Sequence, residues 1–353
     1  MSADRLTVSP LLFAHRGRDG RLVAAEVPGG SRFRLGSPRA AELATSFLEP
    51  RSIEDALADG YSAEELRQAQ EVGLLVSEDT ARLHGAWERS GWSRGAALLL
   101  GQMDLTYVES EDTDTDADAL RETRRRTVDQ YRERGEQPAE CILATGEAVE
   151  LPPPAGVELT LDSMVARRSV RGFSRTPPTA AELAGVLHAA TASMRLAEED
   201  RSAGDPSRVL NSFFSWAHVF VVVQDVDGLP AGAFEYDWAD HRLVRSIPGP
   251  VAAADVLAGI QGQRGIGGTG FVVYLVADLR RYAWLYRHSR SYVHLLIQVG
   301  ELAQELLMAA GALGLGGWPS PAVHESRCAA LLGLPDDDGI EPLAIVKLGR
   351  PSR

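Results

Sequence analysis

Cysteine is almost missing from this chain. Cys141 and Cys328 are the two in 353 residues, which make neither a disulfide framework nor a thiolate metal site. Histidine offers no replacement, since His218, His241, His294 and His324 are scattered without ligand spacing and neither HExxH nor CxxC occurs. No apolar run reaches the eighteen or so residues of a spanning helix; even Val219 to Val223 stops at Gln224 and Asp225. Arg5, His15, Arg16 and Arg18 interrupt the first residues, where a signal peptide would need an apolar core. Positive charge is in deficit, with a net charge of -13, so the chain as a whole repels the phosphates of nucleic acid. These absences set the expectation of a cytoplasmic protein with no metal, no membrane and no nucleic-acid partner.

What is present suits two globular cores: the length fits two domains and 44% of the residues are hydrophobic. The first part reads as a compact module. Leu11 to Arg16 and Arg21 to Val27 are apolar-rich runs joined by Gly17-Arg18-Asp19-Gly20, a hairpin signal. Helices are predicted over Pro38 to Leu48, Ser52 to Ala58 and Ser62 to Val72, the last with a capping box from Ser62 and Glu65; Gly73 stops it and Leu74-Leu75-Val76 follows as a short strand. Strands, three short helices and a closing strand form the pattern of a winged helix. Glu64, Glu65 and Glu71 against Arg67 make the third helix a poor reader of DNA. Trp87 to Tyr107 is an apolar helical stretch, and the charge blocks from Glu109 to Asp118, Arg121 to Arg126 and Arg132 to Arg134 read as solvated loop or exposed helix. Pro152-Pro153-Pro154 stiffens the entry into the second half.

The densest chemistry lies in Arg167-Arg168-Ser169-Val170-Arg171-Gly172-Phe173, three cations and a hydroxyl within five residues. Arginine forks grip phosphate bidentately and a serine hydroxyl adds a further hydrogen bond, so the segment suits a phosphorylated cofactor or substrate; taken alone it could equally be a solvated basic turn. A helix follows, with Thr179 and Glu182 as its capping box and Leu183, Val186, Leu187 and Ala190 as its apolar face. Downstream come the turn Gly314-Leu315-Gly316-Gly317-Trp318-Pro319 and the apolar run Pro342 to Gly349.

In that order these segments resemble the FMN-dependent nitroreductase fold over Leu159 to Arg350. Further details resemble its SagB-type branch, the azoline dehydrogenases: Glu150-Leu151-Pro152-Pro153-Pro154 before the core, Asp227 to Gly232 leading into Phe234-Glu235-Tyr236-Asp237, and Ser291-Tyr292 opening a long helix that reads Val299-Gly300-Glu301-Leu302-Ala303-Gln304. The resemblance implies an α+β fold class: a C-terminal nitroreductase-like FMN-binding α+β sandwich over 151–353, preceded by a winged-helix or peptide-clamp-like domain over 1–85 and a helical, charged linker over 86–150. It implies FMN as cofactor. Arg167, Arg168 and Ser169 would meet the phosphate, ribityl chain and pyrimidine edge; Arg171 would do so too or lock the turn; Gly316 and Gly317 would bring backbone amides to the ring. Arg350 would complete the phosphate site or be a frayed terminal charge. Asn211 and Ser212 stand where relatives carry Ser-Gly-Gly, with Ser202-Ala203-Gly204 as the alternative.

The branch's Lys-Tyr pair falls on Leu285-Tyr286. Tyr286 is the candidate base, with Arg281, Arg287 or His288 as the neighbouring charge that would lower its pKa, or it is a packing residue beside Trp284. The long helix also departs from the branch, with Glu301 and Glu305 in place of its His and Asn. The implied activity is FMN-dependent oxidation of thiazoline or oxazoline rings in a modified peptide, with molecular oxygen reoxidising the flavin. The alternatives are an NAD(P)H-dependent nitro, quinone or enone reductase, and a non-catalytic scaffold subunit. The implied partners are a peptide with a leader segment that adds a strand to the N-terminal sheet, a second copy of the chain, and a cyclodehydratase complex.

Overall fold

The computed structural model describes residues 5–10, 13–16, 22–25, 33–34, 38–84, 117–133, 135, 138, 142–202, 214, 216–263, 266, 269–286, 291–335 and 339–352. The chain divides into two compact units, Met1–Thr113 and Asp114–Arg353.

The first unit contains β1 (Arg5–Val8), β2 (Phe13–Arg16), β3 (Leu22–Ala25), β4 (Phe33–Arg34), α1 (Pro38–Ser46), β5 (Arg51–Ser52), α2 (Ile53–Ala58), α3 (Ala63–Glu71), β6 (Leu75–Ser77) and α4 (Glu78–His84). Two three-stranded sheets form, ordered β5-β1-β6 and β2-β3-β4. The expected hairpin pairs Phe13 with Ala25 and Arg16 with Leu22. The Ser62–Glu65 capping box is formed, which fixes the start of α3 by giving two orphan N–H groups partners. Leu6, Leu43, Phe47, Leu66 and Leu75 make the core of this unit. Strand β1, at the centre of its sheet, was not foreseen, because its Arg-Leu-Thr-Val is too short to show a period.

The second unit runs through α5 (Ala117–Glu133), β7 (Ala148–Glu150), α6 (Leu161–Ala166), α7 (Ala180–Ala190), α8 (Ala192–Ser202), β8 (Ala217–Asp225), β9 (Gly232–Asp237), β10 (Arg242–Arg245), α9 (Ala253–Gly259), β11 (Gly270–Asp278), α10 (Leu279–Leu285), α11 (Ser291–Ala312), β12 (Gly316–Ser320), α12 (Glu325–Leu332) and β13 (Ile340–Gly349). Its seven-stranded sheet is ordered β12-β13-β11-β8-β9-β10-β7. Strand β11 is buried along its whole length, because helices cover both faces and each strand residue needs an apolar side chain whichever way it points. Val219, Val221 and Val223 face the core that holds α7 and α11. Phe220 and Val222 face the opposite core, with α9 and α12.

Two expectations change. Residues 117–150, read as part of a linker, give this unit α5 and edge strand β7, and Val128 of α5 is fully buried against Trp284 and Leu285. Ser291–Ala312 is, by length and composition, the one helix among the described residues long and apolar enough to cross a membrane, and half of its apolar window is buried. No continuous apolar run announced it, since Gln298 and Glu301 interrupt the sequence while the helix gathers Leu295, Leu302, Leu306 and Leu307 onto one buried side.

Candidate functional site

The cationic segment and the glycine pair, 148 residues apart in sequence, lie side by side. Ser169 bridges Gly317 in parallel fashion, and the Val170 amide donates to the Gly317 carbonyl at 2.9 Å. The end of the chain closes the other side: Phe173 bridges Pro351, the Ser174 amide donates to the Arg350 carbonyl at 2.9 Å and the Ser352 amide to the Gly172 carbonyl at 2.9 Å. Residues 169–174 therefore run as an added strand between β12 and the tail that follows β13.

Each cation has a distinct setting. Arg167 is the C-cap of α6 and half-buried. Arg168 is exposed, and its Nη1 donates to the carbonyls of Val165 at 2.7 Å and Arg167 at 2.8 Å. These partners are neutral and leave its charge in place. Arg171 lies 5.3 Å from the centroid of the Trp318 ring, a cation–π contact that ties the segment to β12.

Gly316 and Gly317 are required by the protein itself. A Cβ on Gly316 would stand 2.8 Å from Val170 Cγ2 and 3.0 Å from Pro351 Cγ. On Gly317 it would strike the Lys347 carbonyl oxygen and approach Leu348 Cδ2 to 2.5 Å. The sequence reading gave these glycines a close approach to a flavin ring; the atoms that crowd a Cβ in the structure are protein atoms.

Arg350 is not a frayed charge. Its Nη2 donates to both carboxylate oxygens of Glu182 at 2.8 Å, and its Nε to the Pro177 carbonyl at 3.3 Å. Glu182 also accepts from the Thr179 amide at 2.7 Å and so completes the capping box of α7. One carboxylate thus joins the start of α7 to the end of β13, and an anion reaching Arg350 has to compete with it.

Tyr286 lies elsewhere. It is the C-cap of α10, with its ring 4.7 Å from Tyr282 and 5.3 Å, edge-on, from His294. The Tyr282 hydroxyl donates to the Ser291 carbonyl at 3.0 Å and stands 2.9 Å from His294 Nδ1; deeper in, Trp216 Nε1 donates to Gln298 Oε1 at 2.7 Å. His294 was not singled out from the sequence, although its spacing of three and four residues from Ser291 and Gln298 sets it on their helix face. Of the expected charges near Tyr286, Arg281 lines a separate cavity, while Arg287 and His288 lie outside the described residues, as do Asn211 and Ser212.

Tyr286 and the glycine pair are held apart by α11. Leu307 reaches within 3.2 Å of a Cβ built on Gly317, and it stands thirteen residues along the helix from His294, roughly 20 Å at about 1.5 Å per residue. Among the described residues, no group of three or more His, Cys, Asp or Glu side chains could hold a metal.

A model of the nitroreductase family matches residues 164–350, the span that carries the cationic segment, the glycine pair and Arg350. TfxC, a trifolitoxin operon protein of Rhizobium leguminosarum bv. trifolii, is 26% identical over 302 residues, covering 79% of this chain and 79% of its own. MJ1384 of Methanocaldococcus jannaschii, named for the same family, is 27% identical over 208 residues, 58% of this chain and 98% of its own. Among solved structures, a nitroreductase-like protein of Anabaena variabilis aligns with 63% of the chain at 22% identity and a TM-score of 0.48; the chain spans about half of it, 47%.

Proposed function

The chain belongs to the nitroreductase family, and from that membership we propose that it is an FMN-dependent dehydrogenase of the SagB type, oxidising thiazoline or oxazoline rings of a modified peptide to thiazoles or oxazoles. Family members generally bind flavin, and the pairing of Ser169 with Gly317 carries the reading for this chain. It sets exposed Arg168 and Arg171 and half-buried Arg167 along one edge, beside a glycine pair. A donor set of guanidinium groups and a serine hydroxyl suits the phosphate and polar edge of FMN.

Bound FMN would supply the two-electron acceptor. The protein's part is to bind and orient it through Arg167, Arg168 and Ser169, and to take the substrate proton at the Tyr286 hydroxyl. Because α11 separates these groups within one chain, a joint site needs two copies, the glycine edge of one meeting Tyr286 of the other. Exposed Leu161 and Val165 on α6 and Leu296 and Ile297 on α11 give such a dimer an apolar face. The kinship with TfxC, which covers most of both chains, supports a role beside other operon products, a cyclodehydratase among them. For the first unit, the proposal is a winged-helix-like clamp for a leader peptide.

A second reading, an NAD(P)H-dependent reductase, is favoured by Leu285 in the lysine position and by the packing of Tyr286 between two rings. Purified protein decides between them. Bound FMN with azoline oxidation in air and no NAD(P)H requirement supports the dehydrogenase; flavin turned over only by NAD(P)H supports the reductase; protein that takes up no FMN removes both.

A further inference from the structure

The rings around Tyr286 are rooted in the core, and their hydrogen bonds fix where the protons lie. Trp216 is fully buried and its indole N–H can only donate, so the Gln298 atom it meets at 2.7 Å is the acceptor Oε1. That turns the Gln298 amide nitrogen, a donor, toward His294 Nε2 at 3.4 Å. On the other side of the imidazole, the Tyr282 hydroxyl gives its single proton to the Ser291 carbonyl at 3.0 Å. The Tyr282 oxygen, 2.9 Å from His294 Nδ1, is therefore an acceptor. Nδ1–H with an unprotonated Nε2 is the form of the ring that satisfies both contacts.

The bond from Nδ1 ties together the two rings that enclose Tyr286. Tyr286 stacks on Tyr282 with centroids 4.7 Å apart and planes tilted by 36°, and it meets His294 edge-on at 79°. Its backbone is held on both sides of the residue: the Tyr286 amide donates to the Tyr282 carbonyl at 2.9 Å, and its carbonyl accepts from the Ser291 hydroxyl at 3.3 Å. With the backbone fixed, two side-chain torsions remain to place the phenol, and the slot between the two rings sets them. Tyr282 belongs to α10 and His294 to α11, so the hydrogen bond joins the two walls of the slot across two helices.

We infer that His294 is a positioning residue for the proposed reaction: its Nδ1–H, donated to Tyr282, fixes the ring slot that aims the Tyr286 hydroxyl. The inference rests on the base role proposed for Tyr286. Proton transfer needs hydrogen-bond reach, and a misplacement of about 1 Å can cost on the order of a hundredfold in rate. A group that touches no reacting atom therefore still acts on kcat. Space filling alone does not call for histidine at this point, because the residue is exposed and an edge-on phenylalanine ring fills the same place. What phenylalanine lacks is the donor that holds the Tyr282 oxygen.

The test uses the full chain and two substitutions of opposite chemistry. His294→Phe keeps an edge-on ring and loses the donor, whereas His294→Asn loses the ring and puts an amide donor where Nδ1 stood. On an azoline substrate, His294→Phe should lose roughly tenfold to a hundredfold in kcat with KM and FMN content unchanged, and His294→Asn should stay within about threefold of the unaltered kcat. Tyr282→Phe removes the same bond from its other end, so it should match His294→Phe, and the double variant should lose no more than either alone. In the unaltered protein, 15N-histidine labelling at mildly alkaline pH should find His294 Nδ1 protonated and Nε2 bare. Equal losses in the two His294 variants, full kcat in a folded His294→Phe protein, a loss carried by KM alone, or an Nε2–H tautomer overturns the inference. If the phenylalanine variants do not fold, the tautomer of the unaltered protein decides. Failure of the underlying reading looks different: Tyr286→Phe at full rate, or no azoline oxidation at all, removes the base and this positioning role with it, whatever the His294 variants do.

Discussion

Lys347 is the single lysine of the sequence, and it is fully buried on β13 beside the candidate site. Its Nζ donates to Gln224 Oε1 at 2.6 Å and the Thr269 carbonyl at 3.0 Å, and it lies 5.2 Å from the centroid of Phe173, the last residue of the cationic segment. Burial penalises the ammonium and pushes its pKa down to about 7, against a smaller opposing pull from Asp225. The unfolded value is about 10.4. Between the two the unfolded chain holds a proton that the folded chain does not, so stability must rise with pH from about 7 to about 10.4. Below about 7 both states are protonated and the penalty is full and constant. A shift of roughly 3.4 units corresponds to about 4 to 5 kcal/mol over the whole window, and to about 3 kcal/mol between pH 7 and 9.5. Lys347→Met should remove that slope, so its stability relative to the unaltered protein should fall by about 3 kcal/mol between those pH values. The absolute effect at pH 7 is not the test, since methionine also leaves the Thr269 carbonyl without its donor at about 1–3 kcal/mol. Urea unfolding across the pH range measures the slope, and 15N-lysine labelling gives one side-chain signal whose midpoint reads the pKa directly. Parallel pH profiles for the two proteins, or a midpoint near 10, would falsify the argument.

Gly317→Ala should destabilise flavin-free protein by about 2–3 kcal/mol, because the new methyl meets the Lys347 backbone oxygen, and Gly316→Ala, which meets the stiff side chains of Val170 and Pro351, should cost about 1–3 kcal/mol; thermal unfolding of both without FMN checks this, and an unchanged Gly317→Ala midpoint refutes it. Arg168→Ala should weaken FMN binding on the order of tenfold to a hundredfold, the worth of one charge-assisted contact, measured by equilibrium titration; unchanged affinity places the phosphate elsewhere. Tyr286→Phe should lower azoline oxidation by roughly 100-fold to 10,000-fold with FMN content intact, and an unaltered rate moves the base to another group. Removing residues 1–85 should raise KM for a leader-bearing peptide far more than for a leaderless one; equal losses on both substrates make the module a packing scaffold.

The parts of this structure that were legible in the sequence are those decided within a few residues. Thr179 and Glu182 announce α7 because a capping box is a local reaction between a side chain and two backbone amides, and Leu183, Val186 and Leu187 announce its buried face because helical spacing is local too. What the sequence hid depends on partners far along the chain. Glu182 looks complete as a capping residue, and nothing nearby shows that it also holds Arg350. Glu235 sits in an apolar strand because the amides of residues 143 and 144 come round to meet it. Lys347 reads as one polar interruption of an apolar run until β13 is placed against Thr269. The same limit governs the candidate site. Ser169 and Gly317 form one edge only because the tail after β13 closes over residues 172–174, so the order of motifs named the right segments without their neighbours. Tyr286 belongs to the same ordered set, yet the helix between it and the glycine pair is straight in its consequences: thirteen residues of α11 are a rigid spacer of roughly 20 Å, longer than any hydrogen-bonded contact can span. If these residues serve one reaction, the shortest arrangement available is two copies placed head to tail along that helix, and the exposed Leu296 and Ile297 lie on the surface that would have to be covered.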